Sequence, residues 1–406
     1  MRRKLEFQAD RIETVLAVHK VAARVTGGTV TPRWVRFQVL PALGAKISRI
    51  KNLSEELAAA LDTSSCRVAR RGAAVTVEVP RDDPQPLRLL PLYRQLAGGD
   101  QSDTTPPVTA ILGLDADGTP LLIRLPSPDV AHILVAGTTG SGKTVLMQAM
   151  ILSLALMNPI RPGSASLVEE RDGDLMLVLI DPKGHAFGLF QGLPHLARPV
   201  IREVEEATEA LNSLVRLMER RKPTSILAHG STEALAEAER LESRRKAGFQ
   251  RQGPPHVVVV IDELADLLMT GGKPVQRALT RLTQRGREVG IHVVAATQKP
   301  TTAALGPLVK ANFPVRLVGK MTSASDARTA SGWSGTGAER LMGRGDFLAV
   351  AEGRVTHFQS AHVSPQEIRE VVAHLAQHAP AWPCAASPSL LPEPVRRLAG
   401  VFEGGA

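Results

Sequence analysis

Gly137-Thr138-Thr139-Gly140-Ser141-Gly142-Lys143-Thr144 fits G-x-x-x-x-G-K-[ST] at every fixed position. Glycines let backbone N–H groups turn inward around a phosphate chain, and a following helix adds the partial positive charge of its N-terminus. In this pattern Lys143 reaches the outer phosphates, the Thr144 hydroxyl sits on Mg²⁺, and Val145 closes the cradle at the first helical turn. About 120 residues further on, the apolar run Val257–Ile261 ends in Asp262-Glu263. Asp262 is the expected Mg²⁺ carboxylate, and Glu263 the expected general base that polarises an attacking water. An acidic pair at a strand end is common by chance. Behind a complete phosphate loop it points to a hydrolysing NTPase with ATP and Mg²⁺ as its ligands. Gln298, after Ile291–Ala296, is a neutral amide suited to sensing the γ-phosphate; its plain alternative is a strand cap. Charge spreading over a transferred phosphoryl group also calls for arginine, and none lies in the loop. Arg316 and Arg328 are candidates to be lent by a neighbouring subunit, with surface or DNA-facing roles as the alternative.

These groups form one site only if the chain brings them together. Apolar runs predict strands at 133–136, 176–181, 256–262, 291–296, 314–318 and 346–350. Near-continuous apolar strands alternating with helices, at 145–157 and 203–221 among others, predict a mainly parallel sheet covered on both faces. A charged stretch at 231–248 reads as a solvated helix, and 365–379 as a last amphipathic one. Upstream, helical spacing runs over 4–25, strand-like residues over 29–40, a Leu/Ala-rich helix over 47–61, and two short strands over 64–79. Residues 80–107 are rich in Pro, Asp and Gly and read as a linker.

The formal net charge is +9, and residues 1–110 hold 17 Lys+Arg against 11 Asp+Glu, which favours a polyanionic partner. Aromatic residues make up only 3%, which argues against base-stacking platforms for single strands. The first residues lack the apolar stretch of a secretory signal, and no apolar run approaches the ~18 residues of a membrane span. Two distant cysteines, Cys66 and Cys384, form no metal spacing and fit a reducing, cytoplasmic setting.

Further blocks carry a resemblance. His132 through Thr144, Ile180-Asp181-Pro182-Lys183, Gly192–Leu196, Asp262–Leu267, Gly290–Pro300, Lys310–Arg316 and Gly337–Asp346 resemble, in order, the motor of the FtsK/SpoIIIE DNA translocases, within the FtsK–HerA group. Leu43–Ile50 with Asn52-Leu53 resembles the small α subdomain of that family. The resemblance implies a RecA-like P-loop NTPase of the additional-strand, catalytic-glutamate type, plus a small N-terminal α+β subdomain. It divides the chain into a helix at 1–26, an α-like subdomain at 27–100, the motor at 101–364, and a helix and tail at 365–406. It also implies a homo-hexamer driving double-stranded DNA through a central pore, with Arg281, Arg285, Arg287, Lys299 and Lys310 as pore candidates. Neither the family's membrane-spanning region nor its winged-helix γ domain is expected here, as in versions carried by mobile elements. Lys299 stands where the family usually has arginine. The alternative is a related ring ATPase pumping single-stranded DNA or polypeptide in conjugation or secretion. The residues name no recombinase or loading partner.

Overall fold

In the computed structural model, residues 2–63, 65–71, 74–98, 106–160, 175–221, 254–298, 300 and 312–378 are described. The 231–248 segment, Lys299 and Lys310 lie outside them. The chain divides into two compact units, Met1–Leu87 and Arg88–Ala406.

The first unit runs α1 (Arg2–Val18), β1 (Ala23–Val30), β2 (Trp34–Pro41), α2 (Ile47–Asn52), α3 (Ser54–Ala60), β3 (Arg67–Arg71) and β4 (Ala74–Pro80). The strands form an antiparallel sheet in the order β1-β2-β4-β3. Alternation in β2 and β4 sends Val35, Phe37, Val39, Val75, Val77 and Val79 into one core with Ile12 and Leu16 of α1 and Leu57 of α3. Arg36 and Glu78, opposite each other in register, form a buried ion pair at 2.7 Å. Burial, then the charge of Glu78, pushes the Cys66 thiol up to about 12, so it is no nucleophile at neutral pH. The helix predicted over 4–25 stops at Val18: Lys20 turns left-handed (φ 56°), Val21 N–H reaches the Leu16 carbonyl, and a strand follows. Residues 29–40 belong to two strands turning around Pro32, and 47–61 is two helices broken at Leu53.

The second unit begins with α4 (Leu89–Ala97), inside the stretch expected as linker. There follow β5 (Thr109–Asp115), β6 (Pro120–Arg124), β7 (Ile133–Ala136), α5 (Lys143–Met157), β8 (Leu175–Ile180), α6 (Val204–Arg220), β9 (His256–Ile261), α7 (Leu264–Arg285), β10 (Ile291–Thr297), β11 (Val315–Val318), α8 (Ala324–Ser331), β12 (Asp346–Ala351), β13 (Arg354–Ser360) and α9 (Pro365–His378). The six strands anticipated from apolar runs are all present, with ends shifted by at most one residue. They lie in a nine-stranded mixed sheet, ordered β6-β5-β13-β12-β11-β7-β10-β9-β8. The five strands from β11 to β8 are parallel, and β12, β13, β5 and β6 extend them antiparallel. β10 is inserted between β7, which leads into the phosphate loop, and β9, which leads into Asp262-Glu263. Every loop that carries a candidate site residue therefore leaves the same carboxyl edge of the sheet, where ligands of open α/β sheets bind. α7 is interrupted at Gly272 (φ 56°, ψ −145°), next to Gly271 and ahead of Pro274. Among the described residues, no helix is long and apolar enough to cross a membrane.

At the opposite edge, three histidines tie the strand starts together. The His292 Nδ1–H donates to the Ala131 carbonyl (3.0 Å), leaving Nε2 to accept from His256 Nδ1 (3.2 Å). His132 Nδ1 accepts from Val293 N–H at 3.0 Å. Burial holds His132 down to about 3, helped by His292 and Arg287, and burial with His256 holds His292 down to about 3. The fold therefore binds fewer protons than the unfolded chain. The stability of the neutral rings is complete above the ordinary value of 6.5 and is lost as pH falls from there toward 3. Urea melts between pH 7 and 4 should show unfolding free energy dropping by about 1.4 kcal/mol per pH unit for each ring. In His292→Gln one ring's share of that slope should vanish; an unchanged slope would show that this ring is not buried neutral.

Candidate active site

The phosphate loop joins β7 to α5. Gly140 (φ 79°) and Gly142 (φ 101°) lie in the left-handed region that favours glycine. Gly142 also abuts other backbone, because a Cβ there would stand 2.7 Å from the Gly345 nitrogen. Two further segments clasp the loop. Thr138 donates to the Lys320 carbonyl from N–H (2.9 Å) and Oγ1 (3.0 Å). Arg344 N–H donates to Gly140 O (2.9 Å), and Gly345 N–H to Ser141 O (2.8 Å). The sequence offered the Gly343–Asp346 run only as a block of likeness; in the fold it holds the loop in shape.

Two observations fit a bound phosphate chain. No side chain caps the N-terminus of α5, so its first N–H groups remain for an anion. The buried Lys143 ammonium lies on the loop's own carbonyls, Gly137 O at 2.6 Å and Thr138 O at 3.2 Å, where anionic oxygens compete well for it. Burial lowers its proton affinity, against the pull of Glu263 and Asp262.

Carboxylates gather where β8 and β9 end. Asp181 is fully buried and accepts backbone N–H groups from Gly184, Ala186 and Phe187 at 2.8–2.9 Å, which folds the loop bearing Lys183. Asp262 is pushed up to about 6, first by burial and then by the charges of Asp181 and Glu263, with Lys143 and Lys183 opposing. A divalent cation relieves that crowding, so the donor set fits Mg²⁺, which takes one or two protein oxygens and completes its shell with phosphate and water. Thr144 and Asp262 would be the two residues to supply them. Among the described residues, no cluster of three or more His, Cys, Asp or Glu side chains offers a closed metal cage. Lys183 pairs with Asp266 of α7 at 2.7 Å.

Glu263 adjoins Asp262 but points elsewhere. Its backbone is left-handed (φ 56°, ψ 71°), which costs a non-glycine residue roughly 1–3 kcal/mol. Its buried carboxylate accepts from Thr297 Oγ1 (2.9 Å) and from Gln298 N–H (3.1 and 3.0 Å to the two oxygens). The exposed Gln298 side chain accepts from Thr139 Oγ1 (3.1 Å), linking the end of β10 to the phosphate loop. The two arginines differ. Arg316 is buried on β11, its guanidinium donating to the carbonyls of Phe313 (3.5 Å) and Ala330 (3.4 Å) in its own chain. Arg328 is exposed on α8.

The chain matches the FtsK/SpoIIIE family over residues 91–302, and the FtsK alpha domain over residues 1–81. It belongs to the FtsK/SpoIIIE family. The match over residues 91–302 falls in the second unit, which has a P-loop ATPase fold, and a DNA translocase FtsK of Staphylococcus epidermidis is 33% identical over 381 residues, covering 92% of this chain and 45% of the relative. A DNA translocase FtsK of Pseudomonas aeruginosa is 33% identical over 423 residues, covering 99% of this chain and 48% of the relative. The chain thus spans about half the length of the curated relatives it matches. In fold it is similar to the pCW3 conjugation coupling protein TcpA in its monomer form with ATPγS (TM-score 0.52, 19% identity, 90% of this chain and 99% of that one). It is also similar to the cytoplasmic domain of the Thermomonospora curvata type VII secretion ATPase EccC (TM-score 0.53, 24% identity, 75% and 36%).

A methyl group at position 142 meets both an unfavourable φ and the Gly345 backbone. Gly142→Ala should weaken binding of a fluorescent ATP analogue at least ~10-fold, equivalent to about 1.4 kcal/mol, while the melting temperature of the first unit holds. Wild-type affinity would show that the loop tolerates the displacement.

Proposed function

We propose that this chain is an ATP-driven double-stranded DNA translocase that works in the cytoplasm as a homo-hexameric ring, its site bound between neighbouring subunits. The observation that carries the reading is the separation of two adjacent carboxylates: Asp262 stays within the charges of Asp181, Lys143 and Lys183, while Glu263 is turned to the end of β10. Site chemistry needs that division, because the metal-holding oxygen and the proton-accepting one must act at once on different atoms. Lys143 and the N-terminus of α5 bind and orient the outer phosphates. Thr144 and Asp262 hold Mg²⁺, which when bound offsets charge on those phosphates. Glu263 takes the proton of the attacking water, and Gln298 contacts the terminal phosphate. Arg328, exposed on α8, is better placed than the buried Arg316 to reach a neighbour's site.

The DNA part of the reading is supported by the net charge of +9 and by 33% identity to proteins named DNA translocases. Movement along any sequence requires grip on the phosphate backbone rather than on base edges. Of the pore candidates, Arg281 already pairs with Glu219, Arg285 is exposed and Arg287 half-buried.

Lys143→Ala should abolish ATP turnover, and Glu263→Gln should keep ATP binding but lower turnover at least ~100-fold. Full ATPase in either would remove that residue from its role. Duplex DNA should stimulate the wild-type rate far more than single strands and support displacement of a triplex-forming strand. Stronger stimulation by single strands would favour the pump reading instead.

A further inference from the structure

Thr297 is the last residue of β10 and is completely buried. It touches both halves of the site. Its carbonyl accepts from Gly137 N–H, the first residue of the phosphate loop, at 3.3 Å. Its hydroxyl donates to Glu263 Oε1 at 2.9 Å. The next residue completes a circuit: the Gln298 N–H lies on both Glu263 oxygens, and its side-chain amide oxygen is held by Thr139 Oγ1. In register, Thr297 lies beside Ala136, so the hydroxyl sits one residue before the loop opens.

Glu263 Oε1 thus already accepts two hydrogen bonds, and Oε2 shares one of the same donors. A carboxylate oxygen has room for about two donors, so Oε1 has none to spare for a water, and only Oε2, which shares one donor, keeps a site for it. The carboxylate is laid against the end of β10 by those contacts. We propose that Thr297 is a positioning residue that latches Glu263 away from the attacking water until a bound γ-phosphate draws the Gln298 amide off Thr139. The release runs through one short path: the Gln298 side chain leaves Thr139, its backbone N–H shifts with it, and Glu263, left with the Thr297 hydroxyl alone, turns off it toward the water. The latch gives the subunit a reason to stay idle without a fully engaged nucleotide, and Thr297 a function distinct from the base itself. The inference rests on Glu263 being that base.

The test uses the full chain. Thr297→Val, which replaces the hydroxyl by a methyl group, should raise DNA-independent ATP turnover about tenfold, equivalent to about 1.4 kcal/mol. The KM for ATP should stay within about twofold of wild type, since the loop contact is made by the backbone carbonyl. Thr297→Ser should restore the low basal rate, and Thr139→Val, cutting the circuit at its other end, should raise it in the same direction. A structure with Mg²⁺ and ATPγS should show Glu263 beyond hydrogen-bond distance of Gln298 N–H. The latch is overturned if Thr297→Val leaves the basal rate unchanged or lowers it with and without DNA, or if Glu263 keeps both contacts with ATPγS bound. If Thr297→Val does not fold, as judged by melting and ATPγS binding, the Thr139→Val rate and the ATPγS structure decide alone. Wild-type turnover in Glu263→Gln sinks the general-base reading itself, whereas an inactive Glu263→Gln beside an unaltered Thr297→Val sinks the latch only.

Discussion

Three carboxylates converge at the ends of two neighbouring strands, and the layout of the site follows from how each charge is accommodated. Asp181 turns its charge inward, folding a loop around itself with three backbone N–H groups. Glu263 is drawn sideways to the adjacent strand by a hydroxyl and an amide. Asp262 stays between them, its crowding opposed by Lys143 and Lys183 and legible in a carboxyl pushed up to about 6. Like charges this close are tolerated only when each has its own compensation. The insertion of β10 between β7 and β9 supplies the surface against which Glu263 can be held apart.

The antiparallel half of the sheet serves the same site from the other side. β12 begins one residue after Gly345, so the segment that clasps the phosphate loop is also the entrance to a strand paired along its whole length with β13. Asp346 accepts from Met342 N–H and is bonded to His357 of β13. Gly345 lies in the left-handed region (φ 91°), and a side chain there would meet the Ser360 hydroxyl and the Gln359 amide. The loop's shape is therefore imposed by a ladder of pairings that extends well beyond the motif itself.

Much of the site was legible before any coordinates because its chemistry fixes residue type and spacing. The loop glycines, Lys143, and the acidic pair after five apolar residues can be read without knowing which strand pairs with which. The parallel strands were legible because burial on both faces leaves continuous apolar runs. β5, β6 and β13 were not: a register shift at Gly113 interrupts β5, β6 is partly exposed, and β13 carries Arg, Thr, His and Gln. The end of α1 was missed because a lysine rather than a glycine takes the left-handed position. The histidine ties and the Gly345 clasp depend on contacts between residues far apart in the chain, which no local pattern carries.

The break in α7 divides that helix mechanically. Ahead of Gly272 lies a stub of about two turns that follows directly from Glu263, carries Asp266 and sinks Leu264, Ala265 and Leu267 into the core; beyond it Val275, Ala278, Leu279 and Leu282 enter the same core. An added methyl at Gly271 would collide with Val275, so the joint is kept narrow. Bending concentrated in one glycine's torsions turns the helix axis like a fixed elbow, so that the stub behind Glu263 takes its own direction while both arms stay bolted into one core.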